Sequence, residues 1–286
     1  MAETAAAPVV LTIAGFDPSS GAGVTADIKT IAAHGCYGVS CITAMTVQST
    51  QRVDQVEALK PGWVTATLEE LVSDMDIAAV HIGMLGSGKI CQAVADFLVD
   101  NQLPNIVLDP ILKSSSGADL LDKSGKAILI ERLLSLATLI TPNAAEASVL
   151  AEMPVTNPAQ MQQAAAKLHA MGAKAVVVTG GDLEKATDLL LFPGSKGMEQ
   201  EIFKAERQRS KSTHGTGCAF ATAIACHLAV GRGLPEAVLL AKAYVSAAIA
   251  NATPLGKGTG PLHHLYRMDE QRRPGNINPQ EEHHDG

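Results

Sequence analysis

Residues 211–228 read KSTHGTGCAFATAIACHL, a glycine turn that runs directly into a cysteine at the head of a small-residue helical stretch. Such a turn leaves the backbone N–H groups of Gly215, Thr216 and Gly217 without intrahelical partners, at the positive end of the helix dipole, where an anion is stabilised. Cys218, in the first turn, would feel the same field, which lowers a thiol's pKa and suits it to act as nucleophile or proton acceptor. The competing reading is a small buried hydrophobe, the role expected of Cys226 two turns later. Thr213 and His214 either take part in chemistry or only shape the turn.

Three further stretches carry residues of the right type. LDP (108–110) and TPNAAEA (141–147) bring Asp109, Asn143 and Glu146, the last two sharing one face of a helix that begins near residue 143. Carboxylate and amide oxygens suit Mg2+. An N-cap asparagine with a capping-box glutamate explains Asn143 and Glu146 equally well, and leaves Asp109 unexplained. GFDPSSGAGVTADIK (15–29) makes a turn and opens a helix near Ala22–Gly23, with Asp27 one turn inside. It reads equally as a ligand-binding turn or an ordinary strand–helix connection, and Ala26 stands where GxGxxG needs its third glycine. GMLGSGKI (83–90) matches a P-loop at Gly83, Gly88 and Lys89 and fails at Ile90, which has no hydroxyl to offer Mg2+. A P-loop is excluded.

These stretches follow short apolar runs: 9–15, 39–47, 78–83, 105–110, 137–142, 173–180 and 188–192 read as strands. Helical patterns at 25–34, 63–75, 90–101 and 158–171 alternate with them, and from about 216 the chain turns helical. Near-continuously apolar strands alternating with helices predict an α/β fold, a mostly parallel sheet covered on both faces. Ligands of such sheets bind beyond the C-terminal ends of the strands, where the motifs lie. No internal repeat or interdomain linker is visible, so residues 1–268 are expected to form one domain and the polar stretch 269–286, with its His283–His284 pair, a disordered tail.

The 286 residues are 47% hydrophobic, with net charge −7 and 3% aromatics, which argues against nucleic acid or an anionic membrane as partner. Five cysteines at 36, 41, 91, 218 and 226 show no zinc spacing or disulfide framework and fit a reducing cytoplasm. The N-terminus has no basic region ahead of an apolar run, and no stretch is long enough to span a bilayer, so neither signal peptide nor membrane segment is expected.

IAGFDPSSGAGVTADIKT, GML after a strand, VLDP, TPNAAEA, THGTGCAFATAIA and GKGTGPLHH occur in the order found in the hydroxymethylpyrimidine/phosphomethylpyrimidine kinases of thiamine biosynthesis. These belong to the ribokinase-like superfamily, and the resemblance runs from about Val9 to Leu265. It implies a three-layer ribokinase-like sandwich that transfers the ATP γ-phosphoryl group to 4-amino-5-hydroxymethyl-2-methylpyrimidine and then to its monophosphate. It also implies an anion hole at Gly215, Thr216 and Gly217, with Cys218 as base, and Mg2+ and phosphates organised by Asp109, Asn143 and Glu146. The pyrimidine would lie against Gly15, Ala22 and Asp27, with Gln48 and Met84 completing the pocket. A neutral thiol would also tolerate an acceptor that already carries a phosphate, which a permanent carboxylate would repel.

The chain departs from the family pattern at Thr179-Gly180-Gly181-Asp182, where Lys-Gly-Gly-His is usual, and Lys257 is the candidate replacement for that lysine's charge near ATP. Phe16 and Ser20 depart more mildly. Related kinases are commonly homodimers, and a cytoplasmic homodimer is the expectation. The alternatives are a pyridoxal/pyridoxine kinase on the same scaffold and a non-catalytic pyrimidine or nucleotide sensor.

Overall fold

A computed structural model describes residues 6–114, 117–181, 187–204 and 210–272. Asp182 and the His283–His284 pair lie outside the described residues. The chain begins with β1 (Val9–Phe16), α1 (Gly23–Ala33), β2 (Tyr37–Gln48), β3 (Val53–Ala58), α2 (Pro61–Asp74), β4 (Ile77–Ile82) and α3 (Gly88–Asn101). Next come β5 (Ile106–Leu108), α4 (Lys123–Ile128), a π-helical turn over Leu129–Leu133, α5 (Leu134–Leu136), β6 (Leu139–Ile140) and α6 (Ala144–Leu150). The last part holds α7 (Pro158–Ala170), β7 (Val176–Val178), β8 (Thr187–Gly194), β9 (Gly197–Lys204), α8 (Thr216–Ala229), α9 (Leu234–Ala250) and α10 (Tyr266–Arg272).

All nine strands form one sheet in the order β3-β2-β1-β4-β5-β6-β7-β8-β9. Pairing is parallel from β2 to β7, while β3, β8 and β9 join antiparallel at the edges. Two of these, β3 and β9, were not expected from the sequence. β9 is exposed at every residue but Phe203, so it carries no buried alternation to read.

The sheet is buried on both faces, as the apolar strands predict. Leu11, Ile82, Leu108, Ile140 and Val176 pack against α2, α3 and α7, whereas Val10, Ala79, Val107, Leu139 and Val177 pack against α8 and α9. Successive residues of a strand point to opposite faces, so one strand feeds both cores. The mostly parallel three-layer arrangement is borne out. Helix α10 carries the chain past residue 268, where the domain was expected to end, to Arg272.

The rejected P-loop segment has a structural occupation. Ser87 caps α3 through Ile90 N–H, Gly88 N–H bonds to Asp122, and Ile90 is in the core.

Candidate active site

The strand order reverses at β1, with β2 on one side and β4 on the other, and a crevice opens at such a point. Around it lie residues 15–22 after β1, Met84 after β4, Asp109 after β5, Thr141 and Asn143 after β6, and Thr179 after β7.

The N-terminus of α8 faces this edge. Gly215 is its N-cap, with φ 81°, a left-handed conformation that glycine adopts freely. A side chain there would also run into the carbonyl oxygen of Gly21. Thr216 N–H returns to Thr213 O at 3.3 Å, and Ala219 N–H to Gly215 O at 2.9 Å. Between them, the N–H groups of Gly217 and Cys218 find no acceptor among the described residues. A Cβ on Gly217 would lie 3.6 Å from Asp109 Oδ2, so the open end of the helix and this carboxylate confront each other across a narrow gap.

Burial pushes the Asp109 carboxyl up to about 6, against the pull of His81. Glu146 rises to about 8 through burial and then the charge of Asp109. The Cys218 thiol is driven well above its ordinary value by burial, then by Asp109 and Asp27, with Glu146 adding to it. This corrects the expected lowering: desolvation and three carboxylates outweigh the helix field and the Gly23 N–H. Asp109, Glu146 and Cys218 therefore share one electrostatic neighbourhood.

Of the two readings of TPNAAEA, the structure shows the capping box. Asn143 N–H donates to Glu146 Oε2 and Glu146 N–H to Asn143 Oδ1, each at 2.9 Å, a complete capping box. Asp109 is near enough to this Glu146 carboxylate to raise the glutamate's pKa. Thr141 Oγ1 is buried without a hydrogen bond of ordinary geometry, and it neighbours the Asp109 carboxylate, whose pKa it helps to hold down. Among the described residues no three His, Cys, Asp or Glu side chains converge on one point, so there is no all-protein metal cage. Two carboxyls that burial holds toward their neutral forms instead fit Mg2+, which takes one or two carboxylates and completes its octahedron with water and phosphate.

On the other side of the gap, Met84 Sδ would lie 3.0 Å from a Cβ on Gly15, so a larger residue there would push the Met84 thioether aside. Gln48 ends β2, and Ala22 precedes α1. Asp27 is fully buried, accepting from Thr12 Oγ1 at 2.7 Å and Thr222 Oγ1 at 2.9 Å, with His81 Nδ1 at 3.3 Å. A ligand could touch Asp27 only by replacing one of these bonds.

Three further side chains border the site: Asp17 and His81, which the motifs did not mark, and His214, whose role the motif left open. Asp17 accepts from Ser19 N–H, Ser19 Oγ, Gly21 N–H and Ala22 N–H. Burial raises its pKa, but hydrogen bonds from His214 and Ser19 outweigh this and leave it below the usual value. His214 Nε2 reaches the same carboxylate at 2.8 Å, and its ring fills the space that a side chain on Gly21 would need. His81 lies beneath Asp109, with Nε2 buried and unpartnered. Burial lowers its pKa, but the Asp27 charge beside it gives a net rise. One signal for His81 was visible: a histidine inside the apolar run AAVHIG.

The candidates for nucleotide contact are placed differently. Thr179 is pinned beside the α6 cap, with its N–H to Pro142 O and its C=O accepting from Ala144. Lys257 is exposed in the loop whose Gly258 N–H bonds to Thr50 Oγ1, and no contact joins it to Thr179. That loop borders a cavity of about 360 Å³ lined with Lys211, Thr213, Thr50 and Thr259, starting two residues before Gly215.

Residues 17–263 match the family described as phosphomethylpyrimidine kinase. The hydroxymethylpyrimidine/phosphomethylpyrimidine kinase of Escherichia coli is 42% identical over 261 residues, 90% of this chain and 97% of that one. The chain belongs to the phosphomethylpyrimidine kinase family. The thiamine biosynthesis bifunctional protein ThiED of Geobacter sulfurreducens is 40% identical over 264 residues, and the match spans 92% of this chain but about half, 53%, of that longer protein. The ADP complex of Bacillus subtilis pyridoxal kinase superposes with a TM-score of 0.83 at 33% identity, covering 92% of this chain and 99% of that one.

Membership of the phosphomethylpyrimidine kinases makes the protein an ATP-dependent phosphotransferase with a ribokinase-like fold, as the motif order implied. No helix among the described residues is long and apolar enough to cross a membrane.

Proposed function

We propose that the protein transfers the γ-phosphoryl group of ATP to the hydroxymethyl oxygen of 4-amino-5-hydroxymethyl-2-methylpyrimidine, and then a second one to the monophosphate, giving the diphosphate. The observation that carries this reading is the pair of unpartnered N–H groups on Gly217 and Cys218 facing Asp109 across the crevice. Phosphoryl transfer needs positioning and charge stabilisation more than covalent help, and this is a preorganised cradle for the moving group.

In this reading the turn Gly215–Thr216–Gly217 shapes the anion hole, whose donors are the N–H groups of Gly217 and Cys218, because the Thr216 N–H expected there is turned back to Thr213 O. Cys218 first releases its own proton to solvent and, as thiolate, accepts the proton of the attacking alcohol late, as the alcohol's bond to phosphorus forms and the bond from phosphorus to ADP breaks. Until it ionises, the buried thiol adds no charge beside an acceptor that already bears a phosphate. Asp109 and Glu146 would hold Mg2+, which when bound neutralises phosphate charge. Asn143, Thr179 and Lys257 serve the nucleotide side. Gly15, Ala22, Gln48 and Met84 wall the acceptor pocket, and Asp27 supports it from below. The working protein is a cytoplasmic homodimer.

A second reading is favoured by the likeness to the Bacillus subtilis pyridoxal kinase: phosphorylation of pyridoxal in the same pocket. ADP release with Mg·ATP and hydroxymethylpyrimidine, its monophosphate or pyridoxal separates the two. Turnover of both pyrimidines with much slower pyridoxal is expected. Turnover of pyridoxal alone would replace the first reading with the second, and binding without any turnover would leave a sensor.

A further inference from the structure

The Gln48 amide lies between two partners: one end is 3.2 Å from His214 Nε2 and the other 3.2 Å from Thr46 Oγ1. His214 Nε2 is also 2.8 Å from Asp17 Oδ2. Ionised, Asp17 can only accept, so Nε2 must carry a proton and donate it. With its nitrogen toward His214, the Gln48 amide would set N–H against N–H. Thr46 would then have one hydroxyl proton for two acceptors, the amide oxygen and the Phe16 carbonyl 3.0 Å away. Turning the amide by 180° removes both conflicts and leaves one proton, that of His214 Nε2, shared between Asp17 Oδ2 at 2.8 Å and the amide oxygen at 3.2 Å. The oxygen accepts from His214 Nε2–H, the NH2 donates to Thr46 Oγ1, and Thr46 donates to Phe16 O. The two ends of an amide have the same shape, so the hydrogen count decides between them.

We infer that His214, clamped by Asp17, is a positioning residue that fixes the Gln48 amide with its oxygen on the side of the glycine turn, and so dictates which edge of an acceptor ring the pocket takes. His214 immediately precedes Gly215, so the amide oxygen faces the end of the pocket where transfer occurs. Its second lone pair and the second N–H remain for a ligand, in a fixed order: acceptor near the anion hole, donor farther away.

The consequence for the acceptor rests on the pyrimidine-kinase reading. In 4-amino-5-hydroxymethyl-2-methylpyrimidine the amino group adjoins the carbon bearing the reactive hydroxymethyl, and a ring nitrogen follows. That is a donor near the anion hole and an acceptor beyond it, the complement of the locked amide. Pyridoxal has a carbonyl on one side of its hydroxymethyl-bearing carbon and a bare C–H on the other, and neither donates. A site whose polar groups are left unpaired discriminates strongly against the ligand that leaves them so.

Two measurements test the unit. Long-range 1H–15N spectra of the imidazoles, assigned with His214→Gln, should show Nε2 of His214 protonated at every pH; a bare Nε2 would overturn the proposal whatever the enzyme phosphorylates. In kinetics, His214→Asn and Gln48→Ala should each lower kcat/KM for hydroxymethylpyrimidine by about ten- to a hundredfold, the range of a lost charge-assisted hydrogen bond. The double variant should lose no more than the worse single, with KM for ATP nearly unchanged. His214→Gln, whose amide nitrogen reaches the place of Nε2, should recover most of the loss at a similar Tm. Additive losses, or equal impairment by Asn and Gln, would overturn the coupling. If the wild type phosphorylates none of the acceptors, the functional reading fails, while the imidazole spectrum still decides the amide's orientation.

Discussion

Gly215, the cap of α8, rests directly on the carbonyl of Gly21 in the turn before α1, so closely that a methyl group on Gly215 would overlap that oxygen. On the proposed reading, the anion hole and the acceptor pocket thus share a wall made of backbone. Gly215→Ala meets both this collision and a φ of 81°, which costs a non-glycine residue about 1–2 kcal/mol by itself. Turnover should fall by about a hundredfold or more, the effect of moving reacting groups by roughly an ångström. Steady-state kinetics check this, and a variant with wild-type kcat would show that the contact is slack.

Cys218→Ala removes the proton acceptor and leaves the N–H groups of the turn in place. The loss in kcat should be about 10²–10⁴-fold, the usual span for general-base catalysis, with KM for ATP little changed. Cys218→Asp should support the first phosphorylation better than the second, because a carboxylate repels the monophosphate. Equal use of both acceptors by the Asp variant would refute the argument for a neutral thiol.

Asp109 and Glu146 both hold their protons longer in the folded chain than their ordinary values of 3.8 and 4.5 allow, to about 6 and about 8. Raised carboxyls contribute stability below their unfolded pKa and lose it as pH climbs through the folded one. The metal-free protein should therefore lose Tm progressively from near pH 4 to pH 8. Glu146→Gln keeps an oxygen for the Asn143 cap and removes the charge, so it should flatten the upper part of that decline. Mg·ADP should release protons on binding near pH 7, since ligand carboxylates must ionise. Thermal scans and calorimetry in buffers of different ionisation enthalpy read these effects, and an unchanged slope in Glu146→Gln would contradict them.

His81→Leu strips the fully buried Asp27 of its imidazole partner and leaves only hydroxyl contacts from Thr12 and Thr222. An uncompensated buried charge costs about 3–5 kcal/mol, which denaturant unfolding would register. Asp27→Asn combined with His81→Leu should cost less than the sum of the two, and additivity would separate the pair energetically.

What the sequence made legible follows from where information is local. β1, β4 and β7 read as strands because both their faces are buried, and Asp109 and Gly215–Cys218 stood out because they directly follow a strand or a turn. β3 and β9 form mainly by pairing at an edge, with few side chains buried to mark them. The Asn143–Glu146 spacing suits the capping box that the structure shows as well as it suits the proposed metal role. The rise of the Cys218 pKa depends on Asp109, Asp27 and Glu146 arriving from three other segments, which the local helix argument did not include. Asp17 and His214 meet across 197 residues of chain, and no spacing rule connects them.

That separation governs how the site comes into being. The Asp17–His214 and Asp27–Thr222 contacts tie the first strand and helix to α8, 197 and 195 residues later. A chain leaving the ribosome has made its acceptor turn long before the segment that closes it exists, and contacts of such sequence separation form late. Partial chains that stop before α8 therefore lack the glycine turn and Cys218, and on the proposed reading a growing polypeptide cannot consume ATP until residues 215–218 have been synthesised.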